Sequence, residues 1–420
     1  MRILKLLSLF VFALHFSLSV GLQATSNVFV ANSGDNTVSV VDVTTHAVVN
    51  TIPVGDMPLG MAMTPDESLL YVTNAVDNTV SVIDVANQVV IGAPIPMGIN
   101  PLGVAVTPDG GRVYVVNHLS NNVFIIDVST NTVIAPIITV GSTPTEIAIT
   151  PDGAKAYVTN SGSNDVSVID LLTNTVVNTI NVSNTPSALA ITPDGTKAYI
   201  TNQASNTLSV IDTATDILIL DIPVNSPTDI AITPDGTKVY VTDGGNQVVL
   251  VIDTLTNTVI GSPIPVGIDP IGIAIDSLGK FAYVANSGDN TLSVIDLVSN
   301  LVIGSPIAVG ISPTALVAGL PSPIFLDPPL RIITAFNQDL YQTELYNILS
   351  WDAPPAGFGA VRCFILRDGV QIATIPTSVL TFEDHNLKRH RLYQYAIIAQ
   401  NASGETLIFS TGSIKTLNKK

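Results

Sequence analysis

The sequence predicts an all-β protein: a seven-bladed β-propeller of four-stranded blades, ring-closed by its own terminal strands, then a small β-sandwich. Three observations carry this. One aromatic-led tetrapeptide recurs at a constant period, each copy consists of short alternating apolar runs, and the two ends of the array are complementary fragments of one copy.

The tetrapeptides are FVAN (29–32), YVTN (71–74), YVVN (114–117), YVTN (157–160), YITN (199–202), YVTD (240–243) and YVAN (283–286). Their lead residues Phe29, Tyr71, Tyr114, Tyr157, Tyr199, Tyr240 and Tyr283 are 42, 43, 43, 42, 41 and 43 residues apart. A period in the forties suits propeller blades or paired-helix solenoids. The runs decide between them. TVSVVDV (37–43), TVSVIDV (79–85) and TLSVIDL (291–297) are β-branched, alternate with period two and stop at turn residues, so they are strands.

Each copy holds four such runs; in the copy around Tyr157 they are 145–150, 154–160, 165–171 and 175–182. TPDG joins the first two with a fixed proline φ, a self-capping aspartate and a glycine tolerant of positive φ. Four meandering antiparallel strands make a blade and seven blades a disc. The first copy starts at NVFVAN (27–32) without an innermost strand, and SPTALVAGL (312–320) is an innermost strand without its own TPDG. Paired, they complete a blade and remove the open edges of the stack.

The YVTN and TPDG motifs at this period resemble the YVTN family of β-propeller repeat proteins, relatives of surface-layer and lactonase-like propellers. The resemblance covers about residues 25–320. It implies the fold more than a function, because the repeated residues are architectural.

Residues 25–320 contain 25 acids and 5 bases, a net of −20, whereas 321–420 contain 8 acids and 9 bases, a net of +1. An acidic ring repels phosphate backbones, so nucleic acid is not an expected partner. Residues 1–24 read as a secretory signal: Arg2 and Lys5, then the apolar 6–20, then Ser19, Gly21 and Ala24 as small residues before cleavage. The expectation is export to a periplasm, the cell surface or the exterior, with no membrane span after cleavage. The lone Cys363 excludes an internal disulfide, and no CxxCH occurs for covalent haem.

Prolines 313, 321, 323, 328 and 329 suggest a linker over 321–329. Runs at 331–336, 345–354, 361–375, 392–405 and 410–417 then read as strands of a β-sandwich. Trp351 in LSWDAP, Leu387 six residues before Tyr393, and the pattern from Tyr393 to Glu405 resemble a fibronectin type III domain over 330–420. The resemblance implies a core role for Trp351 and a tyrosine corner at Tyr393.

Chemistry is sparse. No HExxH, GxSxG or phosphate-binding glycine loop is present. The aspartates ending each third strand (such as Asp42, Asp127 and Asp212) recur around the ring and cannot converge on one substrate, so they read as turn caps. No cofactor is expected; Asn-Ser-Gly-Asp-Asn at 32–36 and 286–290 suggests calcium but lacks the spacing of a known calcium loop.

Function is better sought where copies differ. Counting the proline of each return to the centre as one, the third residue is Gly60, Gly103, Glu146, Ala188, Asp229, Gly272 or Ala315. Glu146 and Asp229 stand out as acidic and predict a cation or polar-ligand site at the channel mouth. His118 replaces the small or amide residue of the other copies in its loop and is a third candidate, for binding or acid–base work. Two functions follow. The first is an exported, non-catalytic scaffold whose loops bind a protein or glycan. The second is a lactonase-like hydrolase or lyase with a polar or metal site at the channel mouth. Blade uniformity favours the first.

Overall fold

The computed structural model describes residues 27–319 and, beyond them, strands between 331 and 415. These belong to two compact units, one spanning Thr25–Pro321 and the other including Ser322–Lys420.

The first unit is a ring of seven four-stranded antiparallel sheets. We number the blades from the N-terminus. Blade four shows the pattern, with strands Pro144–Ile149, Lys155–Asn160, Asp165–Asp170 and Thr175–Asn181 from the centre outward. Blade one is composite. Asn27–Asn32, Thr37–Asp42 and Ala47–Pro53 receive Pro313–Ala318 as their innermost strand, with Val28 opposite Ala318 and Val30 opposite Leu316. The closure expected from the fragment ends is present.

Every innermost strand starts on the proline of its return, one residue earlier than the periodicity suggests. Proline lacks only the donor, and the first position of a strand tolerates that loss. The second strands are buried along almost their whole length, because both faces pack on neighbouring blades. The outermost strands are largely exposed and bury one residue near their end, such as Ile180 in Thr175–Asn181. Core clusters therefore sit between blades; Tyr114, Val123 and Ile125 of blade three pack with Ile147, Val158 and Ile169 of blade four.

The lead tyrosine of the repeat is an inter-blade clamp. Tyr71 donates its hydroxyl to Asn131 Oδ1 of the next blade at 2.6 Å, Tyr114 to Asn174 at 2.6 Å, Tyr199 to Asn257 at 2.8 Å and Tyr240 to Asn300 at 2.7 Å. Tyr157 donates to Asp216, which also pairs with Lys155 Nζ at 2.8 Å. The acceptors lie in turns with positive φ, a conformation that asparagine adopts more readily than most residues. Two seams lack the clamp, and they flank blade one. Phe29 has no hydroxyl, and the buried Tyr283 hydroxyl has no partner because His46 occupies the acceptor position.

This gives an expected contrast. Tyr157→Phe should destabilise the ring by about 1.5–3 kcal/mol, the usual cost of a lost hydrogen bond to a charged group. Tyr283→Phe should be neutral or slightly stabilising, since it removes a buried polar atom that pairs with nothing. Urea midpoints of the two variants measure this; equal losses would refute the clamp.

The aspartates ending the third strands cap the turns they open. Asp42 Oδ1 accepts from the N–H groups of Thr44 and Thr45, and Asp170 Oδ1 from that of Thr173. These bonds hold the Asp170 carboxyl below the usual range. In the TPDG turns, Thr150 Oγ1 donates to Asp152 Oδ1 at 2.6 Å.

The C-terminal unit shows two antiparallel sheets. One contains Arg331–Asp339, Gln342–Ser350 and Thr381–Asp384; the other contains Val370–Ile375, Ala360–Arg367, Leu392–Asn401 and Thr406–Lys415. Trp351, Leu387, the export signal and the proline-rich linker lie outside the described residues.

Candidate active site at the channel mouth

All seven returns and all seven loops between second and third strands lie on one face of the disc. The backbone N–H of Ser33 bonds Ser312 O, Ala75 bonds Met57 O, His118 bonds Asn100 O, and the same contact repeats in the other blades. We call this the return face. The TPDG turns lie on the opposite face.

At the third position of an innermost strand the side chain points at the next blade. A Cβ on Gly60 would lie 2.1 Å from Leu102 O, and one on Gly272 would lie 2.0 Å from Thr314 O. Backbone cannot yield there without shifting a strand, which is why those copies carry glycine. Blade three differs. A Cβ on Gly103 would lie 2.6 Å from both Cα and Oε1 of Glu146. The absent side chain of Gly103 is thus the space that the Glu146 carboxyl uses.

The threonine of the tetrapeptide fixes the same position. Glu146 N–H donates to Thr159 Oγ1 at 3.0 Å, and Thr159 donates to Ser187 O of the next blade at 3.0 Å. Asp229 N–H donates to Thr242 Oγ1 at 2.8 Å, and Thr242 donates to Ile271 O at 2.9 Å. The sequence singled out neither these threonines nor Gly103. Their signal was available: in the blades with Ala31, Val116 or Ala285 in the tetrapeptide, the third position is only Ala or Gly.

Both carboxyls are half-buried on the innermost ring, each with a backbone donor. Glu146 Oε1 accepts from Ile147 N–H at 2.9 Å, and Asp229 Oδ2 accepts from Ile273 N–H of the next blade at 2.9 Å. Burial raises Glu146 from 4.5 to about 8, against the Ile147 hydrogen bond and with the Asp229 charge adding to the rise. Burial also raises Asp229 from 3.8 to about 6, against its hydrogen bonds from Ile273 and Ile230. Two carboxyls within each other's field thus titrate on either side of neutrality, the usual setting for an acid and a base.

His118 lies on the return face, where its N–H bonds Asn100 O. Its Nδ1 is 2.9 Å from Pro144 O, at the head of the strand that carries Glu146 two residues later. A carbonyl only accepts, so Nδ1 carries the proton in this contact and Nε2 is the remaining ring atom. Among the described residues no group of three or more His, Cys, Asp or Glu could hold a metal ion. In the two Asn-Ser-Gly-Asp-Asn segments, Asp35 Oδ2 accepts from Ile311 N–H and Asp289 Oδ2 from Ile268 N–H, so each carboxylate ties its loop to the return that enters the same blade.

The fold and this carboxyl pair define a seven-bladed β-propeller with one asymmetric channel mouth. Two family models match the chain. A YNCE-like β-propeller matches residues 12–109, and a seven-bladed β-propeller lactonase matches residues 95–218. Among solved structures, hydrazine synthase from Kuenenia stuttgartiensis is similar at 25% identity and a TM-score of 0.56, over 63% of this chain and 92% of that one. A protein of unknown function from Desulfotomaculum acetoxidans gives 19% and 0.63, over 71% and 100%. A putative 6-phosphogluconolactonase from Bacteroides fragilis gives 18% and 0.61, over 71% and 99%. No curated protein matches.

These findings correct the expectation of a non-catalytic scaffold that binds a protein or glycan. The lactonase match runs through the stretch holding His118 and Glu146, and putative 6-phosphogluconolactonases share the fold. Blade uniformity misled because the architectural residues repeat in every blade, whereas Glu146 and Asp229 occupy one position where five blades carry only glycine or alanine.

Proposed function

We propose that the chain is a lactonase-like hydrolase acting at the return-face mouth. One observation carries the reading: two acidic side chains, Glu146 and Asp229, stand at the inner-ring position where the other five blades carry only glycine or alanine, each held by a backbone N–H, and Glu146 lies inside the lactonase match. At pH 7 Asp229 is ionised and serves as general base, taking a proton from water as the water oxygen attacks the lactone carbonyl. The ring C–O bond then breaks, and the protonated Glu146 gives its proton to the departing oxygen. The product is a hydroxy acid, and solvent exchange resets both carboxyls. His118, held by Pro144 O, offers Nε2 to orient the substrate.

The test is hydrolysis of simple γ- and δ-lactones followed across pH. The base must be ionised and the acid protonated, so kcat/KM should form a bell with limbs near 6 and 8. Absence of turnover with every lactone would end this reading.

Around this site we place the chain with the YVTN-type repeat proteins, on the tetrapeptides and TPDG turns. The C-terminal strands support a fibronectin-like sandwich as an appended module. Arg2, Lys5 and the apolar run 6–20 support export.

A further inference from the structure

We infer that the return-face mouth takes an uncharged lactone bearing an apolar substituent and discriminates against phosphorylated lactones. The inference rests on the lactonase-like reading and deepens it.

The first observation is where the cations are. The five basic residues of the ring are Arg112, Lys155, Lys197, Lys238 and Lys280. Four open a second strand and Lys280 immediately precedes one, directly after a TPDG-type turn. All five therefore lie at the face away from the returns. Among the described residues the return face carries no Lys or Arg, while Asp35, Asp56, Asp77, Asp269 and Asp289 lie in its loops. A phosphate needs fixed cationic donors, commonly an arginine fork or a lysine ammonium. Here it meets negative charge from every blade that carries charge. A neutral ring pays no such cost.

The second observation is an apolar step on the return face of blade three, the neighbour of the blade that carries Glu146. Two loop positions meet on the return face in each blade: the residue two before the return proline and the second residue of the loop between strands two and three. In blade three they are Ile99 and Leu119, exposed by 56% and 59%. Leu119 N–H donates to Ile99 O at 3.1 Å, so the pair is continuous. Blades four, five and six carry Ser142 with Gly162, Asn184 with Ala204, and Asn225 with Gly245. Blade three is the blade where both positions hold a large apolar residue. Leu119 adjoins His118, whose ring rests on Pro144 O at the head of the Glu146 strand. A lactone ring at the carboxyls would lay its substituent over Ile99 and Leu119 and cover surface that is otherwise wet.

The experiment compares kcat/KM of the full chain for δ-decalactone, glucono-δ-lactone and 6-phosphogluconolactone. Decalactone should lead by about tenfold or more and the phosphorylated lactone should be slowest, in keeping with a few buried methylenes of discrimination. Ile99→Ser/Leu119→Ser should cost decalactone about tenfold through KM and leave gluconolactone unchanged. Both positions are exposed, so the variant should fold. Preference for the phosphorylated substrate, or a double variant that keeps its decalactone preference, would overturn the inference and spare the lactonase reading. If no lactone is hydrolysed, that reading falls. Calorimetry with the hydrolysis-resistant lactam 6-pentylpiperidin-2-one then decides the inference. Saturable binding that the double variant loses upholds it, and no binding overturns it.

Discussion

Asp229→Asn is expected to lower lactone turnover by about 10²–10³-fold at pH 7, the usual contribution of a positioned general base. Asparagine is nearly the same size, and its Oδ1 can still accept the Ile273 N–H that Asp229 holds at 2.9 Å. The strand contact survives while proton abstraction is lost, so the fall should appear in kcat and not in KM. Glu146→Gln should act differently. Its amide can hydrogen-bond the departing oxygen but cannot protonate it, so activity falls and the alkaline limb near 8 disappears. Steady-state kinetics from pH 5 to 9 separates these outcomes. An Asp229→Asn enzyme with parental kcat would remove Asp229 from the mechanism.

The second large effect concerns stability, and it needs no substrate. Folding raises the Glu146 carboxyl from 4.5 to about 8, so the neutral form is the one that the fold accepts. That contribution is complete below pH 4.5, fades as pH rises, and is gone once pH passes 8. Glutamine at the same place never ionises. Glu146→Gln and the parent should therefore melt together at pH 4, and the variant should melt higher at pH 9. At 1.36 kcal/mol per pKa unit, discounted for the carboxyl's partial exposure, the gain is roughly 2–3 kcal/mol. Differential scanning calorimetry at the two pH values reads it. A variant less stable than the parent at pH 9 would contradict the buried-carboxyl account.

The ring was legible because its determinants are local and repeated. Period-two runs, the proline-led returns and the TPDG turns each specify their own few residues, and seven copies average out the exceptions. The outlying third-position residues Glu146 and Asp229 could be found for the same reason, by subtraction from the pattern. What could not be read is whatever depends on the neighbouring blade. The covariation of the tetrapeptide threonine with the third position was there to find, but the contacts behind it were not: Gly103 leaves space for Glu146 from one blade away, and Thr242 bridges to Ile271 across a seam. The inter-blade tyrosine clamp joins residues 60 apart, such as Tyr71 and Asn131, a pairing that one copy of the repeat does not contain. The shifted carboxyls were hidden likewise, because burial of a third-position side chain is set by its neighbour.

The composite blade has a consequence for how the ring assembles. Its innermost strand joins Val28 to Ala318, a separation of 290 residues, whereas Ile147 and Val158 in blade four are 11 apart. From an unfolded chain, closing the longer loop costs roughly 3 kcal/mol more in chain entropy. This is the strand pairing of highest order in the ring, and it depends on the last of the ring's strands to be synthesised. Both seams beside it also lack the hydroxyl clamp of the other five. Blade one is therefore the last part to lock and the cheapest to release. Amide exchange should be fastest, among innermost and second strands, at 28–32 and 313–318; slowest exchange there would place the weak seam elsewhere.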